Sequence, residues 1–237
     1  MMYYNSYTQD EKAYRNVVRR IWTEILEWGK ENMRDYPWRN TRDAYRIMIA
    51  EIMLHRTKAD LVKELYEAFI EKYPDFRSIV KAGPENIKSE LYSLGLTWRS
   101  DLLYRMAEEV VKKYDGVLPL NRMKLMELPG VGHYIASAVL CFGYNLPEPI
   151  LDTNTVRVIG RVFGIKITDS SRRSKKFEKI VHDLVACGEP RSFSLSLIDF
   201  AAIICTSRNY PRCDICSLKD ICCFYEKRGD LNERKIN

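Results

Sequence analysis

The sequence is poor in residues that break helices and has no long apolar run. Only 11 glycines and 9 prolines occur among its 237 residues, which suits a folded, soluble and mostly helical protein. The most apolar stretch, 135–151, is interrupted by an asparagine, a glutamate and two prolines, which excludes a continuous membrane-spanning helix. Residues 1–16 lack the basic-then-apolar layout of a secretion signal. The sequence therefore predicts an intracellular, cytoplasmic protein with no membrane partner.

Charge and cysteine content narrow the function further. The net charge of +6 and the pI near 8.8 allow a polyanionic partner but do not identify one. In a reducing compartment the seven cysteines are expected to be thiols or metal ligands, not disulfides. Five of them fall within 19 residues near the carboxyl end, between Cys205 and Cys223. This crowding indicates a local metal site.

Apolar residues recur at helical spacing, and no segment alternates for long enough to predict a sheet. A first helix, 14–33, places Val18, Ile21 and Ile25 on one stripe. The sequence contains neither an internal repeat nor a low-complexity linker. The predicted fold class is all-α.

Further helices follow the first one at short intervals. Asp43 can cap a helix that is apolar nearly all round, so we expect this helix to be central and buried. The next helix, 59–72, has Leu61, Leu65 and Phe69 in step. Shorter helices are predicted at 76–82, 84–93, 99–114, 121–128 and 133–142.

The segment Pro129-Gly130-Val131-Gly132 separates the last two of these helices. Glycine permits positive φ at Gly130 and Gly132 and lets the backbone approach a partner closely. A turn of this kind at the start of a helix aims backbone N–H groups outward, which suits a phosphate oxygen. It is equally compatible with a simple helix–turn–helix corner that holds the core. The pattern alone leaves both interpretations open.

Two carboxylates are candidates for chemistry. Asp152 precedes an apolar-periodic helix and can be its N-cap; alternatively, it can stabilise positive charge that develops on a sugar. Glu51 lies within an apolar helix, where a carboxylate is costly unless it is paired or neutral. Either neighbouring side chains satisfy Glu51, or its pKa is raised for acid–base work.

The clustered cysteines have the count of a metal site. Four of them, separated by seven, two and five residues, can bind either tetrahedral zinc or an iron–sulfur cluster: Cys205, Cys213, Cys216 and Cys222. A single C-x2-C pair with no nearby histidine favours a 4Fe-4S cluster over zinc. Cys141 and Cys187 are expected to pack in the core, and Cys223 is not expected to be a metal ligand.

In their joint order these motifs resemble the helix-hairpin-helix DNA glycosylases that carry an iron–sulfur cluster, of the endonuclease III and MutY type. The closest resemblance is to the archaeal thymine–guanine mismatch glycosylases. It rests on these segments and on the four cysteines: YPWRNTRDAY, IAEIMLHRT, LGLTWR, LPGVGHYIASAVL, LDTNTVRVIGRVFG and DFAAIICT. The resemblance implies two helical lobes with a DNA-binding cleft between them. One would be a six-helix barrel domain, 36–145, that includes the hairpin at 121–144; the other, a cluster domain, would combine 1–35 with 146–237.

The resemblance also implies the chemistry. Asp152 matches the catalytic aspartate of the family, which acts on a nucleotide flipped out of the duplex. Bifunctional members have a lysine where this chain has Tyr134, and a phenol cannot form the Schiff base that nicks the strand. Tyrosine at this position is what the thymine–guanine mismatch enzymes carry. Glu51 matches a carboxylate of the base pocket.

Further residues take expected roles from the same resemblance. Gly130, Val131, Gly132 and His133 would hold the DNA backbone, although many members have Arg or Lys in place of His133. Three residues match loops that fill the gap left by the flipped base: His55, Arg56 and Leu96. Ala59 and Leu195 would line the base pocket, where adenine glycosylases generally have Val and Gln. The first cysteine spacing is seven residues, against six in most members.

The interpretation that follows is a monomeric, nucleoid-associated, monofunctional glycosylase. Its expected partner is double-stranded DNA with a mismatched or damaged base, and its expected action is removal of thymine or uracil opposite guanine. One alternative is an adenine glycosylase that acts opposite guanine or 8-oxoguanine. Another is a non-catalytic DNA-binding module with a structural metal. Salt-sensitive binding is expected under each of these interpretations.

Overall fold

A computed structural model describes residues 9–55, 57–92, 95, 97–207 and 211–227. Within these ranges the chain forms helices and no strand, which confirms the all-α prediction. The α-helices, in chain order from α1 to α11, are Gln9–Asn32, Ala44–Leu54, Ala59–Lys72, Phe76–Ala82, Pro84–Leu91, Thr97–Tyr114, Arg122–Met126, His133–Tyr144, Thr153–Val162, Lys175–Val185 and Pro190–Ile203. Short 3-10 turns lie at Pro37–Arg39, Ser171–Arg173, Cys213–Ile215 and Lys219–Ile221. None of the described helices is both long and apolar enough to cross a membrane.

The chain divides into two compact units. One unit combines the described residues up to Arg34 with those from Pro147 onward, and the other is Asp35–Leu146. The domain bounds expected from the sequence, 36–145 and 1–35 with 146–237, stay a prediction. The first unit contains α1 and α9 to α11, and the second contains α2 to α8.

The unit built from both ends of the chain is organised around α1 and α11, which pack closely on each other. The predicted stripe of α1 is buried at Val18, Ile21 and Ile25, and it joins the apolar faces of α9 and α10 in one core. Trp22, on the border of the stripe, donates its indole N–H to the carbonyl of Gly188 at 2.8 Å. This contact ties α1 to the segment that precedes α11.

A buried ion pair fixes the last residue of the amino-terminal segment in this unit. Asp199, on α11, is fully buried. It accepts the backbone N–H of Arg34 at 2.8 Å and the Nε–H at 2.8 Å, and Nη2 lies 2.6 Å from Oδ1. A buried carboxylate without such donors is strongly destabilising. The pair therefore holds Arg34 against α11.

The second unit has α2 at its centre, as predicted. Asp43 caps α2 by accepting the N–H groups of Tyr45 and Arg46. Eight of the eleven residues of α2 are buried, and α2 packs mainly on α8 and α3. Tyr45 donates its hydroxyl to the carbonyl of Tyr73, which connects α2 to the end of α3.

Several predictions about individual positions were wrong. Leu61 is 57% exposed, whereas Phe69 of the predicted stripe is buried, together with Val62, Tyr66 and Ile70. Cys187 is exposed, since it lies in the turn after α10 and not on a helix face, whereas Cys141 is buried on α8 as expected. The helix α1 begins at Gln9 and not near residue 14.

Candidate functional site: a glycine turn, a capping carboxylate and a cysteine cavity

The glycine turn joins α7 to α8. The backbone N–H of Val131 donates to the carbonyl of Leu128 at 3.1 Å and closes the turn. Gly130 has φ +77°, and a Cβ at this position would lie 3.2 Å from the Cβ of Leu102. Glycine is therefore required at Gly130 by backbone conformation and by close packing.

The second glycine differs from the first in its backbone. Gly132 is the N-cap of α8 with φ −96° and ψ −179°, so the positive φ that glycine permits is not adopted here: the residue is extended. A Cβ on Gly132 would meet no atom of the described residues within 4 Å. Because Gly132 has no side chain, it provides no side-chain cap for the first N–H groups of α8. No side chain of the N-cap residue stands between the start of this helix and an external acceptor.

The other hairpin residues are placed as follows. His133 is exposed at the start of α8, and its Nδ1 lies 3.4 Å from Nη2 of Arg122 on α7. Val131 is buried, which anchors the turn in the core. Tyr134 is half-buried in the first turn of α8.

Asp152 is the N-cap of α9. Its Oδ1 accepts the backbone N–H of Thr155 at 2.7 Å, and its Oδ2 accepts Nδ2 of Asn154 at 2.8 Å. The N-cap interpretation is thus confirmed. A carboxylate oxygen has two lone pairs, so each oxygen keeps one for another partner. The side chain is half-buried, and its orientation is fixed by two donors from its own helix.

A second layer of contacts supports Asp152. The Oδ1 of Asn154 accepts Nη2 of Arg157 at 2.9 Å, and the same Nη2 lies 2.8 Å from the carbonyl of Ala201. Nε of Arg157 donates to the carbonyl of Cys205 at 2.8 Å. Burial lowers the pKa of Arg157 from its ordinary value, but a guanidinium stays charged in proteins.

This chain of contacts runs from the capping carboxylate to the first clustered cysteine, and it was missed from the sequence. The only available signal was the spacing within TNTVRVIGR, where Asn154 and Arg157 are three residues apart and so lie on one face of a helix. Nothing in the sequence indicated that this face meets the carbonyls of α11.

The remaining candidates lie in different parts of the fold. Glu51 is buried in the last turn of α2, with 6% exposure, and His55 is exposed directly after α2. Ala59 is half-buried as the first residue of α3, whereas Leu195 is buried on α11 in the other unit. Arg56 and Leu96 lie outside the described residues.

The four spaced cysteines line one cavity together with apolar residues of α9 and α11. Each of the four is half-buried, and Cys223 is not among the described residues that line the cavity. In the ranges that the structure covers, no three cysteine, histidine or carboxylate side chains converge closely enough to hold a single metal ion. A four-iron cluster does not require such convergence, because each thiolate binds a different iron. The donor set fits that group.

Several donors point at the sulfur atoms. Nη1 of Arg161 lies 3.3 Å from Sγ of Cys205, and the backbone N–H of Leu218 donates to Cys216. Burial raises the pKa of the Cys216 thiol to about 11 and also raises that of Cys222. Thiolates in this cavity therefore need compensating positive charge, which metal coordination supplies.

A backbone contact joins the two ends of the seven-residue segment between Cys205 and Cys213. The backbone N–H of Arg212 donates to the carbonyl of Ile204 at 3.0 Å, so the two ends of the segment between Cys205 and Cys213 are held together. Pro211 is buried beside this bond. An additional residue in the segment consequently need not displace Cys213.

A helical chain whose glycine turn opens onto an uncapped helix has the features of a helix-hairpin-helix DNA-binding protein. Residues 49–183 match the family described as HhH-GPD superfamily base excision DNA repair protein. This match covers more than half of the chain, and the chain belongs to that family.

Two of the similar proteins match this chain over nearly their whole length. The chain is 38% identical to a thymine/uracil-DNA glycosylase of Methanothermobacter thermautotrophicus, over 90% of this chain and 96% of that protein. The solved structure of a thermostable thymine-DNA glycosylase superposes with a TM-score of 0.84 at 37% identity, over 91% of this chain and 99% of the other. An adenine DNA glycosylase of Mycolicibacterium smegmatis is 34% identical over 82% of this chain and 66% of that relative.

Proposed function

We propose that this protein is a monofunctional DNA glycosylase that removes thymine or uracil mispaired with guanine. It hydrolyses the N-glycosidic bond of a flipped nucleotide and leaves an abasic site. The observation that carries the proposal is the end-to-end similarity to a relative named thymine/uracil-DNA glycosylase. The identity of Tyr134 supports it independently.

Asp152 is the proposed catalytic carboxylate. Cleavage of the N-glycosidic bond leaves positive charge on the sugar, and a fixed carboxylate stabilises that charge or activates the attacking water. The two hydrogen bonds from Thr155 and Asn154 hold Asp152 in one orientation while leaving a lone pair free on each oxygen. Such preorganisation lowers the cost of orienting the group during the reaction.

Tyr134 limits the reaction to hydrolysis. A strand-nicking glycosylase needs an amine nucleophile that forms a Schiff base with the sugar, and the phenol of Tyr134 has none. Water is therefore the proposed nucleophile, and the DNA strand stays intact until the abasic site is processed further.

Glu51 is the proposed contact to the flipped base. It is buried in an apolar helix, and its carboxylate can accept the ring N–H of a flipped thymine or uracil. Ala59 and Leu195 are the proposed lining of the base pocket. Neither residue is the Val or Gln expected at the corresponding position of an adenine enzyme.

The hairpin is the proposed anchor for the DNA backbone. The open start of α8 presents backbone N–H groups and the positive end of the helix dipole, which together suit a phosphate. His133 adds an exposed imidazole at the same place. His55, Arg56 and Leu96 are proposed to occupy the space that the flipped nucleotide vacates. The protein is proposed to act as a monomer and to be associated with the nucleoid.

A 4Fe-4S cluster is the proposed cofactor, held by Cys205, Cys213, Cys216 and Cys222. When bound, the cluster would order the cysteine segment and would supply a redox-active centre. The protein should be brown as purified, with a broad visible absorption and about four irons per chain. A colourless protein with stoichiometric zinc would overturn this assignment.

The test of activity uses end-labelled duplexes that contain T·G, U·G, A·G or A·8-oxoguanine pairs. Each duplex is incubated with the wild-type protein and analysed with and without hot alkali. Cleavage of the T or U strand only after alkali is the expected result. Nicking without alkali would contradict the role of Tyr134, and the absence of cleavage in every duplex would overturn the proposed function.

An adenine glycosylase is the second candidate function. The similarity to the relative from Mycolicibacterium smegmatis favours it, as does Glu51, which in an adenine enzyme would protonate the leaving base. The same duplexes separate the two candidates, because an adenine glycosylase would cleave the strand that carries A opposite guanine or 8-oxoguanine.

A further inference from the structure

The helix that carries Glu51 ends without a positive charge of its own. The four helices that follow it each have a lysine in their last turn, at Lys72, Lys81, Lys88 and Lys112. The last turn of α2 has no basic residue, and its C-cap, His55, is extended at φ −65° and ψ 108°. The carbonyl end of a helix is negative and needs donors. The backbone N–H of Thr57 supplies one, 3.2 Å from the carbonyl of Leu54, and a positively charged group from another helix can add to it.

Arg99, on α6, is that group. Its side chain is 5% exposed. Nη1 donates to the carbonyl of His55 and lies 3.5 Å from the carbonyl of Ile52. A buried guanidinium from a different helix thus bonds to the carbonyl of His55, the residue that ends α2.

Trp98 keeps the guanidinium in place. The Cζ of Arg99 lies 4.7 Å from the centroid of the Trp98 ring, within the range of a cation–π contact. Trp98 is itself 55% exposed, so it screens the arginine from water on one side. Shielded from water, a hydrogen bond from a charged donor is stronger than in solvent.

We propose that Arg99 is a positioning residue that holds the backbone of His55 and thereby controls discrimination between mismatched and matched DNA. The proposal rests on the proposed function, in which His55 enters the space of the flipped nucleotide. Arg99 thus reaches, from α6, a residue that is proposed to act on that nucleotide.

Arg99→Lys is the most informative substitution. Lysine keeps the positive charge but offers one compact ammonium in place of a planar fork, so it cannot reproduce both the stacking on Trp98 and the contact with the carbonyl of His55. The fold keeps a cation at the end of α2, whereas the orientation of the turn is lost.

The matched control is Arg77→Lys. Nη2 of Arg77 also donates to a backbone carbonyl, that of Asp115, at 2.9 Å in the same unit. Arg77 is exposed on α4 and belongs to no proposed DNA contact. It therefore reports the general effect of replacing an arginine that bonds to a carbonyl.

The experiment compares affinities for a T·G duplex and a matched T·A duplex, the single-turnover cleavage rate, and the thermal midpoint. In Arg99→Lys the ratio of the two affinities should fall about tenfold, the equivalent of one charge-assisted hydrogen bond. Affinity for matched DNA should be unchanged, and Arg77→Lys should leave the ratio unchanged. A purely structural role would lower the midpoint and the active fraction without altering the ratio.

A double-mutant cycle with His55→Ala tests the route of the effect. If Arg99 acts through the turn at His55, the two substitutions will be non-additive in the affinity ratio. An unchanged ratio in Arg99→Lys, or strict additivity, would overturn the inference while leaving the proposed function intact. Wild-type protein that cleaves no mismatch would overturn both.

Discussion

The helices α8 and α9 begin in opposite ways. The helix α8 follows Gly132, which has no side chain to cap it and open space around its Cα. The helix α9 follows Asp152, whose Oδ1 accepts the N–H of Thr155 at 2.7 Å. At both starts the first backbone N–H groups have no acceptor within their own helix, and at α9 the side chain of the N-cap residue supplies one.

This difference suggests a division of labour. A helix start without a side-chain cap can bind an external anion, whereas the start of α9 already binds the carboxylate of Asp152. Under the proposed function, the same electrostatics serves DNA binding in one unit and positions a candidate catalytic group in the other. The following predictions alter one helix start at a time.

Asp152→Asn should have the largest effect. Asparagine caps helices about as well as aspartate, so the substitution removes the negative charge while α9 keeps its cap. The glycosylase rate should fall on the order of 100- to 1000-fold or more, as when an electrostatic stabiliser of the transition state is lost. Single-turnover kinetics on the preferred mismatch duplex measure this change.

The control for Asp152→Asn is stability. The free energy of unfolding should change by less than about 0.5 kcal/mol, because the capping bond is retained. A variant that keeps full activity would show that Asp152 acts only as a cap. A variant that unfolds would show that the charge itself stabilises the unit.

Gly130→Ala should be the most destabilising change at the hairpin. A residue with a Cβ is strained at φ +77°, and the new atom would lie 3.2 Å from Leu102. The free energy of unfolding should fall by about 1–3 kcal/mol, the typical cost of a side chain in this conformation. Chemical denaturation measures it, and a wild-type midpoint would contradict the strained geometry of the turn.

Gly132→Ala should separate binding from folding. The new methyl group meets no atom of the described residues within 4 Å, and the cost in stability should stay below about 1 kcal/mol. Affinity for DNA should nevertheless fall about tenfold, because the methyl group obstructs the approach of a phosphate to the start of α8. Fluorescence anisotropy with a labelled duplex at fixed salt provides the measurement. Equal affinity for DNA in mutant and wild type would exclude close approach at this glycine.

Asn154→Ala should have the smallest effect. It removes the donor to Oδ2 of Asp152 and leaves the capping bond from Thr155. The cleavage rate should fall about two- to tenfold, the range expected for one neutral hydrogen bond, while DNA affinity is unchanged. A loss as large as that of Asp152→Asn would mean that Asn154 has a more direct part in the reaction.

Local patterns predicted much of the fold. The bounds of α3 and α4 agree with the predicted 59–72 and 76–82, and Asp43 caps α2 as expected. These features depend on contacts within a few residues, which a sequence displays directly. The stripe of α3 was wrong at Leu61 because helical spacing alone does not decide which of two adjacent stripes faces the core.

The candidate site was predicted in part. The glycine turn, the capping position of Asp152 and the cysteine spacing were visible because each lies within a short segment. The role of Arg99 could not be predicted from its place in LGLTWR, since its contact with the carbonyl of His55 spans 44 positions. The role assigned to each of these residues in catalysis or DNA binding stays a prediction.

The sequence by itself determined the helical class, most helix positions and the residue types that can act, because these follow from short-range periodicity, capping and spacing. Only the tertiary structure decided how those residues are supported. Arg157 reaches the carbonyl of Cys205 across 48 positions, and Arg99 closes a helix that has no basic end of its own. Such contacts join groups that are distant in the chain, and they depend on how the helices pack, which no local pattern encodes.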